Sequence, residues 1–161
     1  MTVTRFKLVP APPETLGDVR RAWRAVPLVP ADEADAVARL EARLDLPSRD
    51  VARTWLTFLR ALELVAETPS GFRRRRGGGG ADADPNPDAD ALRATFLDRV
   101  FLARETLATL RAADGPVDPD VAFERLRDRV PTWEHHKDPA GWEATWRDRL
   151  DALLDWLVLL G

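Results

Sequence analysis

The residues best equipped for chemistry in this chain are arginines, set in two patterns. Arg49, Arg53, Thr57 and Arg60 recur at steps of four, four and three residues, the spacing that lines one face of an α-helix. A short distance on, Arg73, Arg74, Arg75 and Arg76 follow one another directly. A guanidinium is permanently charged and offers a planar fork of donors that matches phosphate oxygens, so both patterns point to phosphate contact. Four adjacent guanidiniums are also costly to hold together without an anionic partner.

Other chemistries find little support. The chain has no cysteine, which excludes thiolate catalysis, disulfides and thiolate metal sites. Its two histidines, His135 and His136, are neighbours, and adjacent side chains point apart on any regular backbone, a poor arrangement for one metal. Asp82, Asp84, Asn86, Asp88 and Asp90 alternate like the opening of a calcium loop, but no glycine stands at the sixth position and Arg93 replaces the required twelfth-position Glu. The glycines at 77–80 have no Lys-Ser/Thr after them and so make no phosphate loop. No nucleophile with a matching base emerges. Neither a catalytic residue, a metal nor a cofactor is expected, and the protein reads as non-enzymatic.

The elements that must position the arginines are legible around them. Ser48 can cap a helix with its side-chain oxygen, and Val51, Trp55, Phe58, Leu59 and Leu62 form an apolar stripe opposite the arginines, predicting a helix over 48–65. Thr68-Pro69-Ser70-Gly71 then supplies turn chemistry between Leu64-Val65-Ala66 and Phe72-Arg73-Arg74, predicting a hairpin. Upstream, Arg5 to Val9 suggests an edge strand or ordered arm. Leu16, Val19, Trp23 and Val26 share a face in a helix from Pro13 to about Val26, and Ala36, Val37, Leu40 and Leu44 do so in a second helix from Asp32 to Leu44.

Residues 77–87, GGGGADADPNP, cannot build a core and read as a linker. Beyond them one long helix is expected from Asp88 to about Ala113, another over 118–130, a loop over 131–138, and a last helix with Trp142, Trp146, Leu150, Leu153, Leu154 and Leu157 inward. That last helix repeats the apolar rhythm of the arginine-bearing one at a constant offset of 95, placing Val51 on Trp146, Phe58 on Leu153 and Leu62 on Leu157. A second hairpin would have to start just after Leu160, where the sequence stops.

Helix, helix, capped helix and basic hairpin, in that order over 31–76, resemble the winged-helix superfamily, with Trp55, Leu59, Leu62 and Val65 at its usual core positions. The pair of modules is similar to two-module winged-helix proteins of halophilic archaea. The resemblance implies a mainly α fold with a small β-hairpin: a winged helix over 1–76, the 77–87 linker, and a second helical, winged-helix-like module over 88–161 that lacks its wing. It also implies double-stranded DNA as the partner, with the third helix in the major groove and the Arg-rich wing 72–76 on the backbone. Asp50 departs from that pattern, because a carboxylate faces phosphates badly unless it reads a cytosine amino group or serves as a cap.

Composition sets the remaining bounds. Residues 1–76 hold 14 basic against 10 acidic residues and the remainder 10 against 17, so the halves have opposite signs and are suited to different partners. Nearly all the bases are Arg, only Lys7 and Lys137 being lysines, and Asp dominates the acids, a bias shared by salt-adapted proteins. With no long apolar run and no signal peptide, a cytoplasmic location is expected, and neither a membrane nor a small-molecule substrate is indicated. Trp23, Trp55, Trp146 and Trp156 fall on apolar stripes and belong in a core. Trp133 is either a plug or an anchor for a partner. Two functions follow: a DNA-binding transcriptional regulator whose acidic module makes a dimer or binds a partner, or a protein-interaction adaptor built of tandem winged helices.

Overall fold

The protein is described by a computed structural model covering residue 6 and residues 9–75 and 89–161. The linker 77–87, Arg76, Asp82 to Asp88 and most of the Arg5–Val9 segment lie outside the described residues.

The first half contains α1 (Leu16–Ala25), α2 (Glu33–Leu44), α3 (Arg49–Ala61), β1 (Val65–Thr68) and β2 (Gly71–Arg74). Local chemistry sets the boundaries. Asp32 caps α2 by accepting from the Asp35 N–H, and Ser48 caps α3 by accepting from the Val51 N–H. The third helix is shorter than its apolar stripe suggests. It ends at Ala61 rather than at 65, because Glu63 takes a left-handed conformation (φ 62°) that turns the chain into the hairpin. β1 and β2 pair antiparallel with Val65 opposite Arg74 and Thr68 opposite Gly71, around the expected Pro69-Ser70 turn. The stretch between α1 and α2 runs along the other edge of β2: Ala31 and Phe72 exchange both backbone hydrogen bonds (2.9 and 2.7 Å), and the Arg74 N–H reaches the Pro27 carbonyl at 2.8 Å. The hairpin is thereby anchored against α1 and α2.

In the second half lie α4 (Ala89–Arg99), α5 (Ala103–Ala112), α6 (Pro119–Leu126), a 3-10 turn over Arg127–Arg129, α7 (Thr132–Lys137) and α8 (Trp142–Leu160). Two expectations are corrected. The single helix expected from Asp88 to Ala113 is two helices, broken where Leu102 adopts φ 68°. Phe6 fills the break: its N–H donates to the Arg99 carbonyl at 2.8 Å and its carbonyl accepts the Phe101 N–H at 2.9 Å, replacing helical bonds that the kink gives up. The expected loop over 131–138 holds the short α7, in which Glu134 is buried and the His135 ring stacks on Trp142 with centroids 3.7 Å apart.

The buried residues of both halves form one cluster. At its centre the fully buried Trp156 of α8 meets Phe58 of α3 at 4.5 Å, Trp55 of α3 at 6.0 Å and Phe96 of α4 at 6.4 Å. Its indole N–H donates to the Pro10 carbonyl at 2.7 Å, so the polar edge of this large ring is satisfied inside the core. Trp23, Trp55, Trp146 and Trp156 are all buried.

Candidate nucleic-acid interface

Burial divides α3 sharply. Ala52, Trp55, Leu56, Phe58 and Leu59 are in the core, whereas Arg49 and Arg53 are exposed and Thr57 and Arg60 half-buried along the opposite side. The four residues picked out by their spacing therefore do share one outward stripe. Their charges are not free, however. Arg53 donates to Glu33 on α2 and to Asp50 one turn back, each at 3.1 Å, and Arg60 pairs with Glu67 on β1 at 2.7 Å while its guanidinium lies over the Phe72 ring at 5.8 Å. Such pairs are solvent-accessible and each contributes only about 0–1 kcal/mol, so they can be exchanged for phosphates at small cost.

The described arginines of the hairpin, Arg73, Arg74 and Arg75, differ in their surroundings. Strand alternation sends Phe72 and Arg74 to one side and Arg73 to the other. Arg73 and Arg75 are exposed. Arg74 folds back over Trp23 on α1, with its guanidinium carbon 4.9 Å from the ring centroid. Burial, reinforced by the positive charge of Arg24, lowers its pKa from the ordinary arginine value. The Trp23 indole N–H donates to the Arg75 carbonyl at 3.0 Å, so Trp23 fixes the strand end from which Arg73 and Arg75 project. Trp133 is 52% exposed on α7.

A family model for the halobacterial double winged helix domain matches residues 4–161. The chain belongs to this family. No match was found among curated proteins or among solved structures. The order α1, bridging stretch 27–31, α2, α3, β1, β2 is the winged-helix module, with β1 and β2 as its wing. Among the described residues of the second half no regular strand occurs, so this module of the double winged helix is helical.

The sequence rhythm that sets α8 against α3 aligns their buried residues but not their outward charges. At the offset of 95, the buried Trp55, Phe58 and Leu62 fall on the buried Leu150, Leu153 and Leu157, but the outward Arg53 and Arg60 fall on Asp148 and Asp155. Those two carboxylates, with Asp118, Asp120 and Asp151, line an open cleft between α6 and α8. The Asp151 carboxyl titrates above the usual range, through burial first and then the charges of Asp148, Asp155 and Asp120, partly offset by Arg147. A cleft lined mostly by carboxylates would repel phosphate. Three arginines that single-helix spacing did not pick out, Arg24, Arg39 and Arg43, come together from α1 and α2 beside Arg74; the i, i+4 spacing of Arg39 and Arg43 was the only local trace of that grouping.

Proposed function

We propose that this protein binds double-stranded DNA and serves as a cytoplasmic transcriptional regulator. In this reading 1–76 is the DNA-binding unit, 77–87 the connector, and the acidic 88–161 unit makes contacts with a second copy or a partner protein. The observation that carries it is the outward stripe of α3, with Arg49, Arg53, Thr57 and Arg60 beside a wing that exposes Arg73 and Arg75. Backbone contacts from these arginines would position α3 on the groove. Arg76 belongs to the same proposed set by its place after Arg75, and Arg74 is assigned to holding the wing on Trp23.

The test is anisotropy of a labelled mixed-sequence duplex titrated at several salt concentrations, with the intact chain and with a variant carrying Arg49, Arg53, Arg73 and Arg75 as alanines. Binding in the micromolar range, roughly 10⁻⁴–10⁻⁶ M for sequence-independent contact, should weaken linearly on a logarithmic salt scale, and the variant should bind more weakly with a shallower slope. Absence of binding at the lowest salt would overturn the reading. The adaptor reading is favoured by one feature, the carboxylates of Glu33, Asp50 and Glu67 that hold the α3 arginines within the chain. It expects capture of a protein partner that survives salt, through a surface such as that around Trp133.

A further inference from the structure

Beside the wing lies a cleft of about 460 Å³ between α1, α2 and β2. Its polar lining is made of arginines alone: Arg24 from α1, Arg39 and Arg43 from α2, and Arg74 from β2, with no Asp or Glu among the lining residues and no residue of α3. Arg39 does carry Asp35 on its flank at 3.0 Å, which steers one edge of its guanidinium and leaves the rest of the fork available. Arg74 is the most constrained member. The β2 backbone is tied to Pro27, its guanidinium is laid over Trp23, and its Nε is buried with no hydrogen-bond partner. The lip is apolar, with Leu28 44% and Val29 75% exposed.

We propose that this cleft binds a nucleoside polyphosphate, its phosphates held by Arg39, Arg43 and Arg74 and its base lying on the apolar lip at Leu28 and Val29. The volume suits a ligand of that size, since small-molecule sites span about 300–1,000 Å³. Guanidiniums bind phosphate oxygens in pairs of parallel hydrogen bonds, and several converging forks favour a polyphosphate over a single carboxylate. The positive charge of Arg24 beside Arg74 adds to the attraction this cleft offers a polyanion. The site needs neither α3 nor the exposed wing arginines, so it stands whether or not the duplex is bound there.

Isothermal titration of the full chain with ATP, adenosine and inorganic tripolyphosphate at one ionic strength tests it, alongside the variant Arg39→Ala/Arg43→Ala. Both positions are exposed helix surface, so the variant should keep its Tm. One ATP should bind per chain, tripolyphosphate several-fold more weakly and adenosine without measurable heat; the double variant should lose about tenfold or more in ATP affinity, the loss expected for two charge-assisted contacts. No heat with ATP would overturn the proposal, as would equal ATP affinity in the intact chain and the variant. If the variant lost duplex binding while the intact chain ignored ATP, the cleft would be part of the DNA surface instead.

Discussion

Arg53 shows how a single residue can be positioned for one partner while held by another. Its guanidinium faces outward on α3, yet Glu33 and Asp50 both accept from it at 3.1 Å. Exposed pairs of this kind contribute little to stability, and Glu33 adds a negative charge close to where a phosphate would come. Glu33→Gln should therefore raise duplex affinity about threefold at low salt, with the gain fading as salt screens the face, which anisotropy would measure. Unchanged or weaker binding would show that Arg53 does not meet phosphate. Asp151 offers the opposite case on α8, where burial and the charges of Asp148, Asp155 and Asp120 raise its pKa. A carboxyl whose folded pKa exceeds its unfolded value penalises the folded state once ionised. The penalty grows as pH rises through the folded pKa and is absent well below the unfolded one. Asp151→Asn should stabilise the protein at neutral pH by roughly half a kcal/mol after solvent screening, and the gain should vanish on acidification through the carboxylate range and shrink in high salt. Thermal melts across pH would check it, and a gain that grew on acidification would contradict it.

At the scale of elements, the wing depends on a close approach that only glycine permits. A Cβ on Gly71 would sit 2.3 Å from the Ala31 carbonyl oxygen, and its φ of 127° is strained for any other residue. Gly71→Ala should cost about 2 kcal/mol or more, read as a lowered denaturant midpoint, because it both strains the turn and forces apart the Ala31–Phe72 pairing. A midpoint equal to the parent's would mean that the wing is not held against the 27–31 stretch. What could be read in advance follows the same division between local and distant causes. The start of α3 and the hairpin turn were legible because Ser48 and the Thr68–Gly71 turn act within four residues. The break between α4 and α5 was not, because Leu92, Phe96, Val100 and Leu107 continue one apolar stripe through it and the backbone that fills it comes from Phe6, far away in the chain. The short α7 carries too few apolar residues to declare a period, its one strongly buried side chain being Glu134. At the site, the stripe on α3 was legible as a helical spacing, whereas the Arg24, Arg39, Arg43 and Arg74 grouping arises only when three elements pack together. The run 73–76 looked like one patch in sequence, and strand alternation sends Arg73 and Arg74, its members on β2, to opposite sides.

For the whole molecule the governing fact is that the basic and acidic halves share a core. Phe58 and Trp55 of α3 pack on Trp156 of α8, Arg99 on α4 reaches Glu63 after α3 at 2.8 Å, and Pro10 accepts from the Trp156 indole. The inward face of α3 is thus supported by the second module, which holds Asp148 and Asp155 on a helix packed behind it. A duplex approaching the α3 stripe would be attracted there and repelled from the α8 side, so the charge asymmetry would orient the encounter as well as strengthen it. Removing the shared ring should test how firmly the halves are joined. Trp156→Ala deletes a fully buried side chain, and core deletions of this size cost about 3–5 kcal/mol. Because that ring touches both modules, the loss should lower one common transition, followed by denaturant unfolding with probes in each half, and should weaken duplex binding although Trp156 packs on the face of α3 opposite the arginine stripe. Two separate transitions in the parent chain, or loss of only the second module's structure in the variant with duplex binding intact, would instead make 1–76 a self-sufficient unit. With a single transition, the support that α3 receives from α8 becomes part of what a DNA-binding face of this chain requires.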